Sequence, residues 1–169
     1  MSQSITATYL SKMTFTLSDI SGSETVSMVD SSNDSITYTY GSGNNQVQNG
    51  ISASGQLAAN GSYNLSTQAL PQAVFGTGVN TISLSKVKCF TVANKSTTEG
   101  YDMVISATGS NSFTNLFNGG SGNILLKPGA SFSYNDPFDG LTTGASQANL
   151  QLNDTGSGAS YKIFMLGLE

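Results

Sequence analysis

Apolar and polar residues alternate with a period of two in short runs along the whole chain. Such alternation is typical of β-strands that bury one face and expose the other. No stretch long enough for a stable helix shows helical periodicity with capping residues, and the best helical candidate is one turn near residues 112–117. The pattern therefore predicts an all-β chain. The alternating apolar residues are Met13, Phe15 and Leu17; Ile36, Tyr38 and Tyr40; Tyr63 and Leu65; Ile82 and Leu84; Tyr101, Met103 and Ile105; Phe132 and Tyr134; and Leu150 and Leu152.

Two further segments are apolar on both faces in places, which indicates more deeply buried strands. These are residues 87–92 and residues 161–166, and we expect the second to be a central strand. Turn-forming pairs such as Asn49-Gly50, Asn60-Gly61 and Pro128-Gly129 separate the runs, and they supply the backbone angles that tight turns require. Many short strands at this spacing favour a β-sandwich or a jelly roll.

The distribution of large apolar residues divides the chain near residues 68–80. The first part is richer in Ser, Asn and Gly, whereas the second holds most of the Leu, Ile, Phe and Met. We therefore predict a main β-sandwich or jelly-roll core over residues 80–169. Residues 1–79 are predicted to form an N-terminal β-rich arm or subdomain whose order depends on its neighbours.

Charge is scarce, and its composition limits the partners that the chain can bind. Charged residues are 9% of the chain, and Ser, Thr, Asn and Gly together make almost half of it. All six basic residues are Lys, and the net charge is −4. A nucleic acid or an anionic membrane attracts clustered cations, so we expect neither as a partner.

The N-terminal residues and the lengths of the apolar runs indicate the compartment in which we expect the chain. The first residues show no basic and apolar segments of a signal peptide, and no apolar run is long enough to span a bilayer. We therefore expect the chain to be used or assembled in a cytoplasm.

The absence of His and Arg removes most catalytic schemes. Without His there is no Ser–His or Cys–His nucleophile pair, and the commonest nitrogen ligand of zinc is missing. The single cysteine, Cys89, has apolar neighbours and is predicted to be a buried small hydrophobe. Phosphate-binding loops and dinucleotide fingerprints are also missing. We expect no enzyme, and we assign no catalytic, cofactor-binding or metal-binding residue.

Three acidic segments remain as candidates for a catalytic or a metal-binding site. Asp136 and Asp139 are the best carboxylate pair, as a glycosidase would need, but a residue before Pro or Gly is more typical of a turn. Residues 30–34 and 153–156 offer oxygen atoms that Ca²⁺ could use. Neither has the ligand spacing of a calcium loop, so we interpret both as solvated loops.

Tyrosines provide the best candidate for an interface. Tyr38 and Tyr40, with Tyr9 or Tyr63, could form an interface patch or a sugar-stacking platform, although such residues more often pack in a core or between strands. Lys86 and Lys88 alternate with Val87, which predicts an exposed outer face of a strand.

Residues 80–169 contain an ordered series of features that resembles a known family. A strand leads into Asn94, an aromatic segment spans residues 113–120, and Leu126-Lys-Pro-Gly129 is followed by the aromatic strand Phe132-Ser-Tyr134. Residues 148–152 and 161–167 supply the last strands. This series resembles the β-sandwich and jelly-roll virion proteins of tailed phages, especially head decoration (cement) proteins.

The resemblance implies a structural role and no catalytic residues. A protein of this family would decorate and stabilise a phage capsid by binding between capsomers. Its partners would be the major capsid protein or other virion proteins, and it would be a homo-oligomer, with a trimer favoured. It would reside on the capsid surface after assembly in the host cytoplasm. The alternatives are a head-fibre, tail or baseplate module, and a carbohydrate-binding adhesion module.

Overall fold

The structure is a computed structural model that describes residues 6–21, 24–74 and 78–169, with side chains described for residues 35–70 and 81–169. Strands dominate it, and one 3₁₀ turn spans Thr114–Phe117, where the sequence predicted a helical turn. The all-β prediction is confirmed. The strands are β1 (Thr6–Ser21), β2 (Glu24–Tyr40), β3 (Gln46–Val47), β4 (Asn49–Gln56), β5 (Ser62–Ser66), β6 (Leu70–Val74), β7 (Gly78–Ile82), β8 (Lys86–Asn94), β9 (Met103–Ser106), β10 (Asn123–Leu126), β11 (Ser131–Asn135), β12 (Leu141–Thr142), β13 (Asn149–Asp154) and β14 (Ser160–Leu168).

Two antiparallel sheets form a sandwich. The five-stranded sheet has the order β11-β8-β14-β4, with β12 beside β8, and the four-stranded sheet has the order β10-β9-β13-β5. The chain passes from one sheet to the other after β4, β8, β10, β12 and β13, so each sheet is assembled from separate segments of the chain. The predicted central position of residues 161–166 is confirmed, because β14 lies between β8 and β4. The jelly-roll connectivity stays a prediction.

The apolar interior lies between these sheets and follows the alternation of the sequence. Phe90, Ile163 and Met165 on the five-stranded sheet, and Ile105 and Leu152 on the four-stranded sheet, are almost completely buried. Burying each such side chain stabilises the fold by about 1.5–3 kcal/mol. Phe90 is the aromatic centre of this interior. Its ring lies 5.7 Å from that of Tyr134, 5.8 Å from that of Phe132 and 6.5 Å from that of Phe113.

A β-bulge interrupts the alternation in β8. Leu166 of β14 pairs with Cys89, but the next residue, Gly167, pairs with Val87, so Lys88 is the extra residue. The bulge explains why Val87 and Phe90 both belong to the interior although they are three positions apart. A Cβ at Gly167 would lie 2.2 Å from the carbonyl oxygen of Lys86, so this close approach requires glycine.

The sandwich begins earlier in the chain than the predicted boundary at residue 80. Strand β4 lies in the five-stranded sheet and β5 lies in the four-stranded sheet. The β6–β7 hairpin also contributes Leu70 and Ile82 to the interior. Both β4 and β5 are edge strands that carry few large side chains, so the sequence contrast between the two parts of the chain does not mark a domain boundary. The segment outside the sandwich is shorter than 1–79.

The β1–β2 hairpin forms that outlying segment. Its antiparallel register is continuous from Thr6 opposite Thr39 to Ser21 opposite Glu24, which is 16 pairs. Residues 30–34 belong to β2, so the expectation of a loop there is wrong, and their side chains lie outside the described residues. Similarly, Asn49-Gly50 begins β4 instead of forming a turn. The predicted turns at Asn60 and Gly129 are confirmed by their positive φ angles of 55° and 79°.

A buried carboxylate joins two connections at one end of the sandwich. Asp154 ends β13 and is 5% exposed. One of its oxygens, Oδ2, accepts hydrogen bonds from the backbone N–H groups of Asn60 at 2.9 Å, Gly156 at 2.9 Å and Gly158 at 3.1 Å, and Oδ1 accepts one from Ala159 at 2.8 Å. The β4–β5 turn is therefore tied to the β13–β14 loop through one side chain.

We predict that Asp154→Ala lowers the free energy of unfolding by about 3–5 kcal/mol, because it leaves several partly buried N–H groups without an acceptor. Urea denaturation followed by circular dichroism measures this loss. The control is Asp139→Ala, which removes an exposed carboxylate and should change the free energy by less than about 0.5 kcal/mol. Equal effects of the two variants would contradict the role assigned to Asp154.

Candidate interaction surface

A second, smaller apolar cluster covers part of the outer face of the five-stranded sheet. Its buried members are Tyr38, Val47, Cys89 and Leu166, with Ile36 packed against them, and we call it the outer cluster. Cys89 and Leu166 are each adjacent in sequence to a residue of the interior, so they lie on the opposite face of the sheet. The end of β2 and the short strand β3 therefore rest on the back of the sandwich.

Hydrogen bonds fix this segment in place. Tyr38 is completely buried, and its hydroxyl donates a hydrogen bond to Oδ1 of Asn135 on β11. The backbone N–H of Gln48 donates to the carbonyl of Gly167 at 2.9 Å, and that of Asn45 donates to the carbonyl of Pro137 at 2.9 Å. The base of the β1–β2 hairpin is thus anchored to three parts of the sandwich.

Cys89 has the environment of a packing residue. It is 2% exposed within the outer cluster, and burial raises the pKa of its thiol to about 11. The thiolate is therefore scarce near neutral pH, and the prediction of a buried small hydrophobe is confirmed.

Lys88 does not lie on an exposed strand face, so that expectation is wrong. It is 2% exposed, and its Nζ donates hydrogen bonds to the backbone carbonyls of Pro137, at 3.3 Å, and Phe138. The cause is the bulge together with the β11–β12 turn, which passes over the side chain. The sequence gives no direct signal for this, because the bulge depends on pairing with Gly167. Lys86, the other member of the predicted pair, is half-buried.

Asp136 and Asp139 form a turn, as the sequence indicated. The Asp136 carboxylate accepts hydrogen bonds from the backbone N–H groups of Phe138 at 2.9 Å, Asp139 at 3.1 Å and Gly140 at 3.0 Å, and from the hydroxyl of Tyr134 at 3.3 Å. Burial alone would raise the pKa of Asp136, but these hydrogen bonds outweigh it and lower the pKa below its ordinary value. Burial, with the nearby charge of Asp136, raises the pKa of Tyr134 to about 12.

Asp154 is buried and, like Asp136, has carboxylate oxygens that accept backbone hydrogen bonds. This finding corrects the interpretation of residues 153–156 as a solvated loop. Burial would raise the pKa of Asp154, but four backbone hydrogen bonds lower it. Its oxygen atoms already have hydrogen-bond donors. Across the part of the chain with described side chains, no group of three or more His, Cys, Asp or Glu residues is placed to hold a metal ion.

We predict that the free energy of unfolding falls as the pH decreases below about 4. Asp136 and Asp154 have lower pKa values in the folded chain than unfolded, so their stabilisation is complete above the ordinary carboxyl pKa and is lost as the pH falls through the folded values. Urea denaturation at a series of acidic pH values measures the slope. Asp154→Asn should show a smaller slope than the unmodified chain, and an unchanged slope would contradict the assignment.

Three of the tyrosines proposed as an interface do not come together, and the side chain of the fourth, Tyr9, lies outside the described residues. Tyr38 is buried in the outer cluster, whereas Tyr63 stacks on Tyr161, with ring centroids 5.0 Å apart, at the border of the interior. Tyr40 is 43% exposed and is the member of the set that a partner could contact. The alternation placed each tyrosine on a strand correctly, but it does not indicate which layer covers that strand.

None of the residues with described side chains covers the remainder of the outer face of the five-stranded sheet, which contains an exposed aromatic ring. Phe164 of β14 is 41% exposed and lies between Ser52 of β4 and Thr91 of β8 in the register. Thr91 Oγ1 lies 2.9 Å from Ser133 Oγ of β11. Small and mostly hydroxyl-bearing residues thus surround one ring on a sheet surface. We call this surface the outer patch, and its members are Ser52, Ser54, Thr91, Ala93, Ser131, Ser133, Lys162 and Phe164.

Sequence reasoning missed the outer patch because Phe164 belongs to the most apolar strand of the chain. The available signal is the alternation itself, since Tyr161, Ile163 and Met165 point inward and Phe164 must then point outward.

A shallow polar cleft of about 220 Å³ lies at one end of the sandwich. The backbone carbonyl of Tyr101, at its side, accepts a hydrogen bond from Nδ2 of the buried Asn94 at 2.7 Å. Hydroxyl, amide and amine groups dominate the lining, which consists of Gln56, Lys95, Ser96, Thr97, Thr98, Tyr101, Gly158 and Ser160.

Comparisons with known proteins identify no relative of this chain. No family model matches the chain, and neither a curated protein nor a solved structure matches it. Among the described residues, no helix is long and apolar enough to cross a membrane.

We predict that Tyr38→Phe lowers the free energy of unfolding by about 1 kcal/mol through loss of the hydrogen bond to Asn135, and that Tyr38→Ala lowers it by about 3–5 kcal/mol through the cavity it leaves. Thermal and urea denaturation measure both losses. Tyr40→Phe is the matched control and should have no measurable effect, because Tyr40 is exposed. A tolerated Tyr38→Ala would contradict the anchoring role of Tyr38.

Proposed function

We propose that the protein is a structural virion component that decorates and stabilises a phage capsid by binding between capsomers. The observation that carries the proposal is the outer patch, where Phe164 is exposed on a sheet face made mostly of small residues together with Lys162. Aromatic residues, Phe among them, are enriched in the cores of protein interfaces relative to the rest of the surface. The partners are the major capsid protein or other virion proteins, and the protein acts as a homo-oligomer, with a trimer favoured.

The chemistry of the surface supports an interface of this kind. Among the members of the outer patch, Lys162 alone carries a charge, and the others offer hydroxyl groups or apolar atoms. Hydrogen bonds and apolar contacts are screened little by salt, unlike contacts between surface charges. A protein that must hold a shell together across changing ionic conditions benefits from such a surface.

The same proposal assigns no catalytic role to the acidic residues. The carboxylates of Asp136 and Asp154 are occupied by backbone N–H groups, which hold turns and loops in place. The step from an interface protein to a phage virion rests on the resemblance in residues 80–169. In the structure, the Leu126-Lys-Pro-Gly129 feature is the turn between β10 and β11 that leads from one sheet to the other.

We predict that the purified protein rebinds capsid shells from which it has been stripped. Co-sedimentation with such shells measures binding, which should change by less than roughly threefold between low and physiological salt. Phe164→Ser should weaken it, whereas Leu125→Ser, which alters an exposed residue of the four-stranded sheet, should not. Absence of the unmodified protein from the shell fraction would overturn the proposal.

Two alternative functions have distinct tests. In electron micrographs of particles labelled with an antibody against the protein, a head-fibre module would lie on projections from the head, and a tail or baseplate module would lie on the tail. A carbohydrate-binding adhesion module is favoured by one observation, the polar cleft beside Tyr101. It predicts saturable binding on a glycan array that Tyr101→Ala and Gln56→Ala reduce.

A further inference from the structure

The β11–β12 turn carries the most exposed large hydrophobic residue among the side chains that the structure describes. Phe138 in this turn is 64% exposed, compared with 41% for Phe164 of the outer patch. A single exposed hydrophobic residue is ordinary on a protein surface, so the surroundings of Phe138 decide whether it has a role. Those surroundings are a backbone fixed by buried groups, a second exposed aromatic residue and a local negative charge.

Two side chains fix the backbone of the turn. The Asp136 carboxylate accepts hydrogen bonds from the successive backbone N–H groups of residues 138–140. Nζ of Lys88 donates hydrogen bonds to the carbonyls of Pro137, at 3.3 Å, and Phe138. Lys88 is 2% exposed, so the ammonium group of a buried lysine holds this turn. A binding residue whose backbone is already ordered loses less conformational entropy when it meets a partner.

A second exposed aromatic residue lies on the segment that adjoins the turn. The Pro137 carbonyl accepts a hydrogen bond from the Asn45 N–H at 2.9 Å, and the Asn45 carbonyl accepts one from the Thr39 N–H at 3.0 Å. Thr39 precedes Tyr40, which is 43% exposed. Two exposed aromatic residues therefore lie on segments that backbone hydrogen bonds join.

The exposed charge beside Phe138 is negative. Asp139 follows Phe138 and is exposed. Lys88, the cation that contacts the turn, is buried, and its ammonium group bonds to backbone carbonyls. We call Tyr40, Phe138 and Asp139 the aromatic tip. A surface complementary to it has an apolar pocket for Phe138 and a Lys or Arg that faces Asp139.

The outer cluster separates the aromatic tip from the outer patch. In the register of β14 and β8, Phe164 lies opposite Thr91, and Leu166 lies opposite Cys89. Lys88, which the turn covers, comes next along β8, about 10 Å from Thr91 at roughly 3.3 Å per residue. Cys89 and Leu166 belong to the outer cluster, so they lie between the two exposed surfaces.

We infer that the aromatic tip is a second contact surface, which binds an apolar pocket bordered by Lys or Arg on a protein of the shell. The inference rests on the proposed function, since a protein that binds between capsomers needs two contact surfaces and the outer patch supplies one. Phe138 enters the pocket, and Asp139 pairs with the cation at its border.

The charge of the tip favours a shell protein over a second copy of the chain as the occupant. A two-fold contact between copies would bring the two Asp139 carboxylates towards each other, and like charges at an interface weaken it. The cleft of this chain that includes Lys95 is lined mostly by hydroxyl, amide and amine groups, so it is not an apolar pocket for Phe138.

The first test uses a probe with the chemistry of the inferred pocket. A β-cyclodextrin that carries an ammonium group on each glucose unit has an apolar cavity bordered by cations, and isothermal titration calorimetry measures its binding to the full-length protein. Phe138→Ser should weaken binding by about tenfold or more, since it removes the side chain that enters the cavity. Leu125→Ser is the matched control and should bind as the unmodified chain does. Equal binding by Phe138→Ser and the unmodified chain would overturn the role of Phe138.

The charge at the border of the pocket has its own control. Asp139→Asn should weaken binding of the cationic probe by about threefold and leave binding of neutral β-cyclodextrin unchanged. Glu99→Gln removes the same charge from an exposed position on the loop after β8, and it should change neither affinity. An equal loss in Asp139→Asn and Glu99→Gln would show attraction by net charge alone and would overturn the pairing assigned to Asp139.

The second test measures co-sedimentation with stripped shells. Phe138→Ser should weaken it by about tenfold or more, and its effect should multiply with that of Phe164→Ser, because independent contacts contribute additively to the binding free energy. Urea denaturation should show the same midpoint for Phe138→Ser as for the unmodified chain, since Phe138 is exposed. Unchanged shell binding by Phe138→Ser would overturn the inference.

Cross-linking identifies the occupant. Photoreactive p-benzoylphenylalanine in place of Phe138 should cross-link to a shell protein, at a site next to a Lys or Arg. A cross-link to a second copy of this chain would overturn the choice of occupant. Flotation of the unmodified protein with phosphatidylcholine vesicles, lost in Phe138→Ser, would overturn a protein pocket in favour of a membrane.

Failure of this inference differs from failure of the proposed function. An unmodified protein that binds shells as tightly as Phe138→Ser does overturns the second contact and leaves decoration intact. An unmodified protein that ignores shells overturns decoration, whether or not Phe138 is needed to bind the cationic cyclodextrin.

Discussion

Packing of the two sheets on a shared interior is the constraint on which the remaining structure depends. Phe90 lies at the aromatic centre of that interior, in contact with rings from β11 and from the segment before the 3₁₀ turn. The chain passes repeatedly between the sheets, so each crossing must be held without much help from charge. Asp154 and the buried Asn94 do this at several crossings by hydrogen bonding to backbone groups of the connections, and Asp136 holds the β11–β12 turn within one sheet in the same way. The low charge of the chain and its abundance of small polar residues are thus compatible with a well-defined fold.

The bulge at Lys88 links this interior to the outer face. It keeps both Val87 and Phe90 in the interior and places Cys89 and Leu166 on the other side of the sheet. Tyr38 and Val47 then cover that end of the outer face, and the rest, around Phe164, is covered by none of the side chains that the structure describes. The anchored hairpin base and the outer patch are therefore two parts of one surface. This surface is the feature on which the proposed interface function rests.

The sequence predicted the fold class and most strand positions because period-two alternation is a local property. Residues 161–166 were correctly predicted as a central strand, because this segment is the most apolar of the chain and β14 pairs with a strand on each side, although its outer face is exposed at Phe164. The boundary at residue 80 failed because the edge strands β4 and β5 carry few large residues. The burial of Lys88 was not predictable, since it depends on a register shift against Gly167. Likewise, the separation of Tyr38 from Tyr63 depends on which layer covers each strand, and the alternation contains no information on that.

A reconstruction of the intact virus particle by electron cryomicroscopy tests the central claim most directly, namely that this β-sandwich works through the outer face of its five-stranded sheet. The account predicts density for the sandwich on the shell between capsomers, with Phe164 and its neighbours covered by another protein chain. Particles in which the sandwich is present but the outer patch faces solvent would contradict the account.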